Sequence, residues 1–235
     1  LAWFLLNHAV DVRHVLTWSV LPGLLAGVVL LVVLKDSPSR GHVQPPNRPT
    51  AEDSTGRVFW VPVLTLAALV LFRLPETLLI LRLQDLGVAV ATIPLVWAGL
   101  HVVRSGVSYP GGWLVDRLGP RATIAAGSAC FAAGALALSL SLGISAAVWV
   151  FLGLGTVAGL TEAAERTLVA RLAPKRTGRG FGAYHATTGL AALPAALVFG
   201  AVYQHLGASV ALTISAIAIL VTSVLWLVLP PADVL

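Results

Sequence analysis

Gly111-Gly112-Trp113-Leu114-Val115-Asp116-Arg117-Leu118-Gly119-Pro120-Arg121 is a short charged stretch, punctuated by glycine and set between two long apolar runs. Gly112 permits two helix backbones to approach closely, and Gly119 permits a tight reversal that a Cβ would hinder. Asp116 places an acceptor at the edge of hydrocarbon, where an unpaired carboxylate is expensive. Arg117 and Arg121 add fixed positive charge at one membrane face. The stretch predicts a turn between two membrane-crossing helices, and the rest of the chain is read outward from it.

Of 235 residues, 57% are hydrophobic and only 11% charged, and the mean hydropathy is +0.90. A water-soluble domain cannot cover that much apolar surface, so the composition places the chain in a lipid bilayer. The formal net charge of +5 does not point to nucleic acid, because the basic residues lie between apolar runs and form no stripe. The single cysteine, Cys130, excludes an internal disulfide and reads as an inert thiol buried among alanines. The sequence carries no phosphate-binding loop, nucleophile elbow, metal cluster or Cys-His constellation, so neither an enzyme nor ATP drive has support, and no cofactor or metal is expected.

Seven apolar spans follow from hydropathy: 14–34, 58–81, 88–108, 121–142, 146–170, 180–203 and 207–229. Their continuous runs exclude the alternating pattern of a membrane β-barrel. The leading Leu1–Leu6 is too short to cross a bilayer and reads as the tail of a helix whose beginning is missing. Residues 35–57, with Pro38, Pro45, Pro46 and Pro49 among polar neighbours, read as a disordered linker. The expected organisation is residues 1–34 as the end of one helix and a whole second helix, 35–57 as the linker, and 58–235 as a six-helix bundle.

Twelve of the fifteen basic residues fall in alternate loops, which makes that side cytoplasmic and puts the C-terminus there. A weak echo of the opening stretch occurs at Gly200-Ala-Val-Tyr-Gln-His-Leu206-Gly207, 88 positions further on. Three spans separate the two, so they lie on opposite sides of the membrane, as an inverted three-plus-three repeat requires.

Gly112-x-x-x-Asp116-Arg117-x-Gly119 with the following Arg121 resembles the loop signature of the major facilitator superfamily, where it lies between helices two and three and recurs between helices eight and nine. One position departs from that pattern: Pro120 stands where the family usually has the first of two basic residues. The order of a helix end, one helix, a long linker and six helices resembles the family's sixth helix plus its C-terminal half. The resemblance implies an all-α, multi-span helical bundle built on inverted three-helix repeats, with a missing N-terminal bundle as its partner. It also implies that Gly112, Asp116, Arg117, Gly119 and Arg121 form a conformational switch.

Polar residues inside the spans are the candidates for function. Arg73 and Glu76 stand about one helical turn apart around Pro75, which removes a helical hydrogen bond and can kink the span. They read either as a pathway, with Arg73 attracting an anionic group and Glu76 carrying protons, or as a self-neutralising structural pair. Glu162, Glu165 and Arg166 lie in the inner half of their span, and Glu162 and Arg166 can pair along one face. The resemblance suggests a charge relay between these three and the Asp116-Arg117 turn; a plain interfacial ion pair is the alternative, and Glu162, the deeper acid, also reads as a proton carrier. Trp97, His101 and Arg104 share a helical face, where His101 can titrate near neutral pH or, with Arg104, serve as an interfacial anchor.

The functional expectation is a secondary transporter of a small molecule in a plasma (inner) membrane, working by alternating access and coupled to protons. Export by exchange is preferred on family habit. A uniporter, an importer, or a non-transporting receptor or scaffold of the same fold are the alternatives.

Overall fold

The computed structural model of the chain describes residues 20–29, 56–173 and 177–228. Leu1–Leu6 and almost all of the expected linker lie outside the described residues. The chain divides into two units, Leu1–Thr50 and Ala51–Leu235. In the first, the described part is α1, the apolar helix Val20–Val29, inside the expected span 14–34.

The second unit holds α2 (Arg57–Phe72), α3 (Glu76–Asp85), a 3₁₀ turn (Val90–Thr92), α4 (Ile93–Ser139), α5 (Ile144–Leu172), α6 (Thr177–Leu206) and α7 (Ala208–Val228). No strand occurs among the described residues. Five stretches are long and apolar enough to cross a membrane, with α2 and α3 together forming one and the 3₁₀ turn and α4 forming another of 50 residues.

That long stretch is two crossings. Gly119 inside α4 has φ 82° and ψ 157°, a conformation essentially confined to glycine. Before it, α4 runs parallel to α5: Leu100 and Arg104 lie beside Gly155 and Gly159. After it, α4 runs antiparallel to both neighbours, with Gly127 and Gly134 beside Thr161 and Leu154, and Ala125 and Ser139 bonded to Ser223 and Ser209. The chain therefore reverses at Gly119, and six crossings alternate in direction through the described unit. The expected turn at 111–118 is helix instead, because a helix satisfies its own backbone and can run past the end of the apolar segment without a partner. The whole reversal falls on one residue.

Gly207, its counterpart in the repeat, also takes a left-handed φ of 92°, as does Gly87 at 98°. Each follows a leucine, so Leu-Gly marks three of the chain's turns.

Helix contact depends on glycine at a few places only. A Cβ on Gly155 would sit 2.6 Å from the carbonyl oxygen of Leu100, and one on Gly159 would sit 2.7 Å from that of Arg104. These two residues let α4 and α5 touch backbone to backbone. The close approach expected at Gly112 falls one residue earlier: Gly111 is buried against Gly159 and Leu160, whereas Gly112 has open space around it. Cys130 is exposed on the outside of α4 rather than buried, since the small residues packed against α5 there are Gly127 and Gly134. Phe151, Leu83, Leu138, Leu212 and Ile219 are fully enclosed in the core. Leu190, Leu193 and Leu197 stand exposed along one face of α6, a surface suited to hydrocarbon.

The span expected at 58–81 is broken between Phe72 and Glu76. Pro75 supplies no N–H, and the break leaves backbone groups that lipid cannot satisfy. One hydroxyl from α7 meets this need. The N–H of Leu74 donates to Ser215 Oγ at 2.9 Å, and Ser215 Oγ donates to the carbonyl of Phe72 at 2.8 Å. Ser215→Ala should strip both groups of their partner and lower stability by about 1–2 kcal/mol. A fall in the melting temperature of the purified protein, with helix content unchanged in circular dichroism, checks this.

Candidate functional site

The break in α2–α3 opens on a cavity of about 220 Å³. Its wall carries Arg73 from the break, Glu76 from α3, Arg104 from α4, and Glu162 and Glu165 from α5. Leu74, Leu79, Leu100, Phe131, Phe151, Leu154 and Val157 supply the apolar part, with Thr161 as a further polar group. Five charged side chains thus meet around one small space inside a bundle whose helices have the length and composition of membrane spans.

Each carboxylate has a different donor. Glu162 receives two N–H groups of Arg104, one of them Nε at 3.3 Å, and this is the ion pair found among the described residues. The pair follows from the glycine contact: Gly159 brings the backbone of Arg104 against α5, and Glu162 lies less than one turn further along. Glu165 accepts from Tyr184 of α6 at 2.5 Å, and Glu76 accepts from Trp97 Nε1 at 2.5 Å. Both of those donors are neutral.

Arg73 is different. Its guanidinium carbon lies 5.3 Å from the centre of the Phe131 ring, a cation–π contact, and its Nε is buried with no hydrogen-bond partner. The extended backbone at Arg73 (φ −78°, ψ 122°) ends α2 and turns the side chain off the helical ladder.

The structure thus brings together Arg73, Glu76, Glu162 and Glu165, which the sequence divided between a pathway and a relay. It adds Arg104, read above as an interfacial anchor and here paired with Glu162. His101 does not line the cavity; its ring rests 4.7 Å from that of Trp97, and its Nδ1 is buried without a partner. Arg166 is exposed, and Glu162 pairs across to α4 rather than along its own helix with Arg166. Asp116 is exposed and Arg117 lies over the Trp113 ring at 4.2 Å, with neither in an ion pair to Glu162, Glu165 or Arg166.

Arg121, the last residue of the signature, forms a reciprocal clasp with α7. Its guanidinium donates to the carbonyl of Trp226 and lies 5.3 Å from that ring's centre, while Trp226 Nε1 donates back to the carbonyl of Arg121 at 3.2 Å. Tyr184, Ser215 and Trp226 carry no sequence motif. Ser215 had one faint signal, a hydroxyl inside the apolar run Ala211–Leu220.

Removing one member of the Arg104–Glu162 pair leaves a charge in the cavity without its counterion. Arg104→Gln and Glu162→Gln should each destabilise the protein by more than the double replacement does. Thermal melting of the three variants against the parent checks the sign of the coupling.

The match to a family model, the Major Facilitator Superfamily, covers residues 77–234, more than half of the chain. No curated protein matches it. The matched region contains the glycine reversal, the signature with its Arg121 clasp, and every cavity charge except Arg73 and Glu76. With six alternating crossings and that match in hand, the chain belongs to the major facilitator superfamily of membrane transporters and is a multi-pass membrane protein.

Proposed function

We propose that the chain is a proton-coupled secondary transporter of a small molecule, working by alternating access in a plasma membrane with its C-terminus on the cytoplasmic side. The observation that carries this reading is the cavity in which Arg73, Arg104, Glu76, Glu162 and Glu165 meet. Ionisable residues within membrane spans are costly and mark substrate and proton routes. Glu76 and Glu165 are assigned the proton, since each holds only a neutral donor and can be protonated without breaking an ion pair. Glu162 is assigned to holding Arg104 in place. The direction of transport depends on whether proton and substrate compete for these acids or bind together.

The signature turn is assigned to switching. Gly119 supplies a reversal that only glycine adopts readily, and Arg121 ties the second arm of α4 to the end of α7. Asp116 and Arg117 lie on the last turn before that reversal.

Two measurements test the reading. In proteoliposomes holding the full chain under a pH gradient, Glu76→Gln and Glu165→Gln should abolish gradient-driven flux while protein still reaches the membrane. Flux at the parent level in both variants would remove them as proton carriers. Asp116→Asn should slow interconversion between inward- and outward-open states, read by single-molecule fluorescence, and leave substrate affinity within about twofold. Lost affinity at a normal exchange rate would overturn the switching role.

A further inference from the structure

We propose that the cavity recognises a small organic anion through Arg73 and takes up a proton together with it; the inference rests on the transporter reading above and names its substrate class. Four observations converge on it. Among the described residues, Arg73 is the cavity charge without an ionic or hydrogen-bonding partner: Phe131 occupies one face of its guanidinium, and its buried Nε finds no acceptor. A buried donor left unmade is costly, and a carboxylate-type oxygen is the acceptor that a guanidinium fits best. Next to it, Leu100, Phe131, Phe151, Leu154 and Val157 form an apolar wall, which suits an aryl or short alkyl body attached to the anionic group. The space of about 220 Å³ limits that body to a small molecule.

The charges then decide the coupling. The lining holds two guanidinium groups and three carboxylates, a formal excess of one negative charge. An entering anion raises that excess by one, and a proton added to one carboxylate restores it. Anion and proton therefore strengthen each other's binding, and by linkage the effect is reciprocal. A cationic substrate would do the opposite, displacing the proton and leaving Arg73 unanswered.

The groups around Arg73 fit this assignment from each side. Glu76 comes from α3, Arg104 from α4, Glu162 and Glu165 from α5, and Tyr184 from α6, with Ser215 of α7 bonded to the break. His101 packs on Trp97, and His185 packs on Tyr184 and Phe181. Glu162 stays with Arg104, so the proton goes to Glu76 or Glu165.

The test is calorimetry on the full chain in lipid nanodiscs, with benzoate and hexanoate set against benzylamine and hexylamine. The acids should bind in preference to the amines, and their affinity should rise as the pH falls, by up to about tenfold per unit for one linked proton. Titrations in buffers of different ionisation enthalpy should show uptake of about one proton per benzoate. Arg73→Gln should weaken benzoate by about tenfold or more at an unchanged melting temperature, and Arg73→Lys should restore part of the loss. If Arg73→Gln does not fold, the Glu76→Gln, Glu165→Gln double variant should still bind benzoate while taking up no proton.

Amines binding more tightly than acids would overturn the proposal. So would proton release on benzoate binding, failure of both acids to bind, or parental benzoate affinity in a folded Arg73→Gln protein. Gradient-driven flux of an amine without acid binding would leave the transporter reading standing and this inference fallen. Proton-linked benzoate binding without any flux would do the reverse.

Discussion

Hydrocarbon offers a backbone no partners, and that constraint shapes this chain more than any single contact. A continuous helix obeys it automatically. The two places where a helix is interrupted are therefore the informative ones. At Arg73–Pro75 the ladder is broken within a span, and Ser215 replaces the missing partners by donating with one lone hydroxyl and accepting with the same oxygen. At Gly119 the chain reverses in one residue, at the end of an arm that stays helical through Leu118. The first interruption turns a cation off the helix and into a cavity; the second sets two arms of one long helix against opposite directions of α5.

Packing then places the charges. Gly155 and Gly159 bring α4 to backbone contact with α5, and the same register sets Arg104 opposite Glu162. The small residues and the ion pair are parts of one interface, in which the glycine contact sets the register and the ion pair follows from it. Gly178 and Gly182 have the same spacing, yet neither meets anything within 4 Å among the described residues, so spacing alone does not make a contact.

Hydropathy located the spans after Gly119 to within a few residues because membrane thickness sets their length, but it ended the span 88–108 ten residues short of the helix that runs through Leu118; a proline in a span foretold the interruption at Pro75. The signature identified the family because its glycine has to reverse the chain. What the sequence left unread is partnership across helices. Glu162 has Arg166 four residues along its own helix, yet it pairs with Arg104, 58 positions away, because tertiary packing brings the two helices to glycine contact. Tyr184 and Trp97 became carboxylate donors for the same reason; the face that Trp97 shares with His101 and Arg104 did not show that it would meet Glu76. Periodicity assigns residues to a face of a helix; it does not say which helix that face will meet.

The two bonds made by Ser215 have a mechanical meaning. A side chain that bridges both ends of a helix break makes the break a joint with a fixed pin, and the pin belongs to another helix. Both bonds tie the backbone on either side of Arg73 to α7. The far end of α7 is in turn clasped to Arg121 at the start of the second arm of α4. The break beside Arg73 and the signature turn are therefore held at two points of one helix, α7.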